Sequence, residues 1–266
     1  MKINGLDFNV EVKGEGEALV WGHGLTASIE SENLLDIFEW HKLSNQTKLV
    51  RYDARGHGKT EASFSPGDYH WKNLANDMLS VASEVGVDKF IAGGQSMGCA
   101  STIYSAMLAP DRIKSMVLIN PPTAWDTRKE QSQFYLKLAR VGGFLGGWIL
   151  AKLISKNPER LLPGWLVEAK KENINGVFEG LKPIKRKTLA NLFKGAALTD
   201  LPSKEELKSI NVPTLILAWT GDPSHPVETA TELHQVMPNT ELHIADGYSD
   251  LQHWSQLIRD FVSKTK

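Results

Sequence analysis

The residues with the clearest chemistry are Gly94-Gln95-Ser96-Met97-Gly98. A short apolar stretch, Lys89-Phe90-Ile91-Ala92, precedes them, and a helical pattern from Met97 to Leu108 follows. A serine at such a junction stands on a sharp turn, with its hydroxyl pushed out at the C-terminal edge of a sheet. Gly94 and Gly98 let strand and helix approach closely. The N-terminus of the following helix favours developing negative charge beside the serine. Ser96 is therefore the candidate nucleophile for acyl transfer. A Gly-rich strand-to-helix turn without chemistry is the alternative, and the flanking elements argue against it.

Acyl transfer also needs backbone N–H groups aimed at the oxyanion. Met97, next after the serine, supplies one. The loop His23-Gly24-Leu25, which follows the apolar run Ala18-Leu19-Val20-Trp21, supplies the other, with Leu25 the expected donor. The side chain of His23 is expected to shape that loop and not to act as a base. Asp53-Ala54-Arg55-Gly56-His57-Gly58 contains an acid and a histidine, but it reads as a turn whose polar groups tie loops together.

The elements that must position these groups are short. Two antiparallel strands are expected around Ile3–Val12, turning at Asn4-Gly5 or beyond. Further strands are expected at 18–21, 48–52, 89–92, 115–120, 213–218 and 241–245. Between them lie helical patterns around Glu32–Leu43, Trp71–Val85, Met97–Leu108 and Thr229–Val236, and a last helix from Ser249 to Val262, capped by Ser249 with Gln252. Buried strands alternating with helices predict a mostly parallel sheet, covered on both faces. The alternation breaks between about Trp125 and Leu207. That stretch predicts an inserted helical cap over residues 125–207, on a core formed by residues 1–124 and 208–266. Glycines at 142, 143, 146 and 147 predict a bend or a hinge in the cap.

Trp-Gly-His-Gly at 21–24, Asp-x-Arg-Gly-His-Gly at 53–58 and Gly-x-Ser-x-Gly at 94–98, in this order and spacing, resemble the α/β-hydrolase family. The resemblance covers the whole chain. It implies an α/β fold with an eight-stranded, mostly parallel sheet and a Ser–acid–His triad. It implies no single substrate, because this fold hosts many reactions.

A serine needs a base, and the base needs an orienting acid. The family's acid follows the strand after the cap, and Asp222 matches that position. Its histidine usually follows the last strand as Gly-His. Here that segment reads Asp246-Gly247-Tyr248-Ser249-Asp250-Leu251-Gln252-His253, with no Gly-His. Two histidines remain. His253 is close to the usual place but falls on the expected last helix. His225 stands three residues beyond Asp222, pinned by Pro223 and Pro226, on a loop that should open at the same sheet edge as Ser96. We favour His225 as base, with Asp222, Asp246 or Asp250 as its acid.

The chain has 266 residues and a formal net charge of -1, so bulk electrostatics favour neither nucleic acid nor an acidic membrane. Cys99 is the single cysteine, which rules out an intrachain disulfide. No secretory or membrane-spanning run is expected, which points to the cytoplasm. No metal or organic cofactor is implied. The expected activity is hydrolysis of an ester or lactone carrying an apolar portion, by a monomer or homodimer. A C–C hydrolase, perhydrolase or acyltransferase on the same serine is the alternative. A binding protein or receptor without turnover is another.

Overall fold

The computed structural model describes residues 1–265. Its main sheet has seven strands: β3 (Val10–Lys13), β4 (Ala18–Gly22), β5 (Lys48–Tyr52), β6 (Phe90–Gln95), β7 (Ile113–Ile119), β8 (Thr214–Trp219) and β9 (Thr240–Ala245). Their order is β3-β5-β4-β6-β7-β8-β9. β3 runs antiparallel to β5, and every other pair is parallel. β4 and β8 are buried along their whole length, which explains their continuous apolar sequence.

The core follows the strand period of two. Val20, Val50, Ala92, Leu118 and Ile216 face one side of the sheet, where the helices Trp71–Glu84, Met97–Leu108 and Val227–Val236 cover them. Their sequence neighbours Leu19, Leu49, Ile91, Val117 and Leu215 face the other, under the helices Trp40–Ser44 and Trp254–Lys264. A third apolar cluster, including Ala139, Leu150, Leu189 and Leu192, lies within the helical segment between β7 and β8. No described helix is long and apolar enough to cross a membrane.

Several expectations need correction. The sheet has seven strands, not eight. The N-terminal hairpin, β1 (Lys2–Ile3) with β2 (Leu6–Asp7), does turn at Asn4-Gly5, both with positive φ, but it forms a separate two-stranded sheet. Beyond it, the Phe8 N–H bonds to the Met1 carbonyl and the Asn9 N–H to Thr60 Oγ1, so the chain leaves the hairpin before β3 joins β5. The expected helix over 32–43 is two helices, Ile29–Leu35 and Trp40–Ser44, separated by Asp36 in the left-handed conformation.

The last helix is also two pieces, Tyr248–Gln252 and Trp254–Lys264. Its N-cap is Gly247, and no capping box forms at Ser249. His253 causes the break. Its Nδ1 lies 2.8 Å from the Ser249 carbonyl, the acceptor its own N–H would use in a regular helix, and that N–H bonds to Asp250 instead.

The glycine-rich bend forms at Gly146, with φ 88°, between the helices Arg128–Leu145 and Gly147–Ile154. Gly142 and Gly147 serve close packing: an added Cβ would stand 2.7 Å from Leu189 Cδ2 and 1.9 Å from the Leu181 carbonyl oxygen.

Candidate active site

The order β5-β4-β6 reverses direction at β4, and such a switch opens a crevice at the C-terminal strand ends. Ser96 follows β6 there, and the Gly22–Leu25 loop follows the neighbouring β4. Ser96 has φ 55° and ψ -111°, a strained conformation for a residue with a side chain. The surroundings hold it there. Its N–H bonds to the Ile119 carbonyl at 2.9 Å. A Cβ on Gly98 would stand 1.9 Å from the Gly22 oxygen, and one on Gly94 would stand 2.5 Å from the Gly98 carbonyl carbon. Only glycine permits this approach, which fixes where Ser96 emerges.

Ser96 Oγ lies 2.7 Å from His225 Nε2, and His225 Nδ1 lies 2.7 Å from Asp222 Oδ2. An ionised carboxylate only accepts, so Nδ1 carries the proton and Nε2 accepts from the serine hydroxyl. Asp222 is buried and also accepts from Trp219 Nε1 at 3.0 Å and from the Ser224 N–H at 2.8 Å. Burial by itself raises this carboxyl. The His225 charge and the bonds from His225, Trp219 and Ser224 outweigh it and hold Asp222 below the usual carboxylate range. The chain of contacts can take a proton from Ser96 and stabilise the imidazolium that results.

The other candidates stand elsewhere. His253 is exposed and bonded within its own turn. Asp250 is exposed and accepts from the Asp246 N–H at 3.0 Å, which closes a local turn. Neither Asp246 nor Asp250 is hydrogen-bonded to His225 among the described residues. The Leu25 and Met97 N–H groups have no hydrogen-bond partner among the described residues, and Leu25 lines the cavity at Ser96. Met97 opens its helix, where first-turn N–H groups are free.

The two loops read as structural are so. His23 Nε2 accepts from the Ala54 N–H at 2.9 Å, and its Nδ1 meets the Gly24 carbonyl at 2.7 Å. Asp53 accepts from the Ile29 and Lys59 N–H groups and from Asn9 Nδ2. Burial, with His23 alongside, pushes His57 down to about 3, so it stays neutral.

The cavity at Ser96 has a volume of about 170 Å³. Its lower wall includes Gly24, Leu25, Gln95 and Trp219, and its upper wall comes from the helical segment, including Phe134, Tyr135, Leu138 and Phe178. Among the large apolar residues in the first half of the helical segment, Phe134 and Leu138 reach this cavity. Phe144, Trp148 and Ile149 face outward, and Leu150 is buried within the helical segment. Sequence reasoning missed Trp219 as a partner of Asp222. Its signal was a tryptophan three residues before the acid, at the end of a buried strand. It also missed Gln131 and Glu32, whose spacing carries no sign that they line a cavity.

The α/β hydrolase fold sequence pattern matches residues 17–257. The chain belongs to the α/β-hydrolase fold family. This α/β-hydrolase is 25% identical over 250 residues to a putative 2-succinyl-6-hydroxy-2,4-cyclohexadiene-1-carboxylate synthase from Bacillus subtilis, covering 90% of this chain and 86% of that protein. It is 23% identical to 3-oxoadipate enol-lactonase 1 from Acinetobacter baylyi, covering 84% and 80%. A thermophilic esterase from Thermogutta terrifontis superposes with a TM-score of 0.83 at 19% identity, over 98% of this chain and 94% of that one. That last likeness establishes the shared fold.

Proposed function

We propose that this α/β-hydrolase is a serine hydrolase that cleaves a small carboxylic ester or lactone through an acyl-enzyme. The observation that carries the reading is the hydrogen-bonded chain Asp222–His225–Ser96, with both His225 contacts at 2.7 Å. In this reading His225 Nε2 takes the Ser96 proton as Oγ attacks the carbonyl carbon. The resulting oxyanion is held by the Leu25 and Met97 N–H groups. The imidazolium, steadied by Asp222, then gives its proton to the leaving alkoxide as the acyl C–O bond breaks. Water, deprotonated by the same nitrogen, attacks the acyl-enzyme. The acid is released and Ser96 is restored.

The apolar side chains of the cavity favour an apolar acyl or alkyl group, and the helical segment 125–207 acts as a cap that shields the reaction from bulk water. The name of the A. baylyi relative, an enol-lactonase, is consistent with a lactone substrate.

The experiment is fluorophosphonate labelling read by intact mass. Wild type and His253→Ala should gain one adduct on Ser96, Ser96→Ala none, and His225→Ala very little. Labelling that survives in His225→Ala but is lost in His253→Ala would overturn the assignment of the base. A wild type that neither labels nor turns over aryl esters would favour a binding protein without turnover.

A further inference from the structure

The helices Arg128–Leu145 and Gly147–Ile154 have two contrasting faces. Inward, Gln131, Tyr135, Leu138 and Ile154 line the cavity at Ser96. Outward, Val141, Phe144, Trp148, Ile149 and Leu153 are exposed, Phe144 to 77% and Trp148 to 58%. The outward residues are not scattered. On the first helix, positions 137, 140, 141 and 144 share one face by their spacing of three and four, and on the second so do 148, 149, 152 and 153, with Lys156 in the turn just beyond its end.

Cations interleave with them. Lys137, Arg140, Lys152 and Lys156 are all exposed, and residues 131–158 contain no aspartate or glutamate. The bend at Gly146 brings this face beside Arg186, whose Cγ would stand 3.4 Å from a Cβ added there. Lys185, Arg186 and Lys187 are exposed as well. A chain of net charge -1 thus presents one locally cationic, aromatic-bearing apolar face.

Large apolar side chains left exposed on consecutive helices, at helical spacing, mark an interaction surface. A second copy meeting this face about a twofold axis would set Lys137, Arg140 and Lys152 against their own copies, and the neighbouring carboxylate, Glu179, is already paired with Lys182 at 2.6 Å. An anionic lipid surface answers both features. Headgroup phosphates meet the lysines and arginines, and Trp148 and Phe144 suit the interfacial layer. We propose that this outer face docks the protein on an anionic lipid surface. The docking stands on the surface alone. Its consequence, that the substrate is a small apolar ester or lactone partitioned into lipid, rests on the ester-hydrolase reading.

The test is flotation of the full chain with vesicles of phosphatidylcholine, and with vesicles of equal parts phosphatidylcholine and phosphatidylglycerol. The protein should float with the anionic vesicles only. Lys152→Gln should weaken this roughly five-fold, as expected for one cation at such a surface. Phe144→Ser with Trp148→Ser should abolish it. Neither variant touches the cavity, so both should keep wild-type turnover of a water-soluble short ester. Ser96→Ala should lose turnover yet float as wild type, which separates failure of docking from failure of the hydrolase reading. No flotation, equal flotation on both vesicles, or flotation indifferent to the double substitution would overturn the proposal. So would a concentration-dependent dimer that the double substitution disrupts, because the face would then belong to a second copy.

Discussion

Asp222 and His225 stand three residues apart on one loop, with Pro223 directly after the acid and Pro226 directly after the histidine. Their mutual geometry is therefore local, and only the contact to Ser96 spans the fold. Asp222→Asn should keep the fold but favour the wrong His225 tautomer. In steady-state kinetics on an aryl ester, kcat should fall about 10⁴-fold with KM little changed. The same carboxyl sets a pH signature. Its value in the folded chain is depressed, so its contribution to stability is full above the value of an unfolded aspartate and is lost as pH falls through the lower folded value. Thermal melts across pH should show wild type and Asp222→Asn differing by a constant amount at neutral pH and converging only at strongly acidic pH. Convergence already near neutral pH would contradict the pairing.

At the scale of elements, two backbone positions control where the site sits. Gly98→Ala places a methyl 1.9 Å from the Gly22 oxygen, a backbone atom that cannot swing aside. The helix Met97–Leu108 must shift, which should cost about 3 kcal/mol in urea unfolding and move Ser96 away from His225. Gly146 has φ 88° and ψ 165°, a region essentially reserved for glycine. Gly146→Ala should destabilise by about 1–3 kcal/mol, measured in the same way. Arg128 ties the start of this helical segment down. It is buried, lies 4.4 Å above the Trp71 ring, and donates to the carbonyls of Thr199 and Ala196. Arg128→Ala leaves those carbonyls without their partner and should cost about 3 kcal/mol.

For the whole molecule, the cavity of about 170 Å³ is smaller than the roughly 300–1,000 Å³ of pockets for drug-sized ligands. Short acyl chains should therefore be preferred, with kcat/KM falling roughly ten-fold or more once the chain outgrows the cavity. Leu138→Ala, in the upper wall, should move the optimum to longer chains. A series of p-nitrophenyl esters on both proteins checks this, and an unchanged optimum would show that Leu138 does not limit the acyl site.

Much of this molecule could be read from local sequence, because local sequence carries periodicity and turn chemistry. The helix Met97–Leu108, the bend at Gly94-Gln95-Ser96, the buried strands and the break in pattern at 125–207 all show within a window of a few residues. Where local rules compete, the sequence was ambiguous. A side-chain bond from His253 to Ser249 split a helix that periodicity alone would continue, and bonds from Phe8 and Asn9 kept the first hairpin out of the main sheet. Tertiary structure decided which histidine meets the serine. Ser96 and His225 are 129 residues apart. No local pattern encodes a contact at that separation. It exists because β7 pairs with both β6 and β8 and so brings their C-terminal ends to one edge. The two faces of the helix pair above the site have the same origin. The sequence shows apolar and basic residues there, but only packing against Leu189 and the cavity turns Leu138 inward and leaves Phe144 and Trp148 in water.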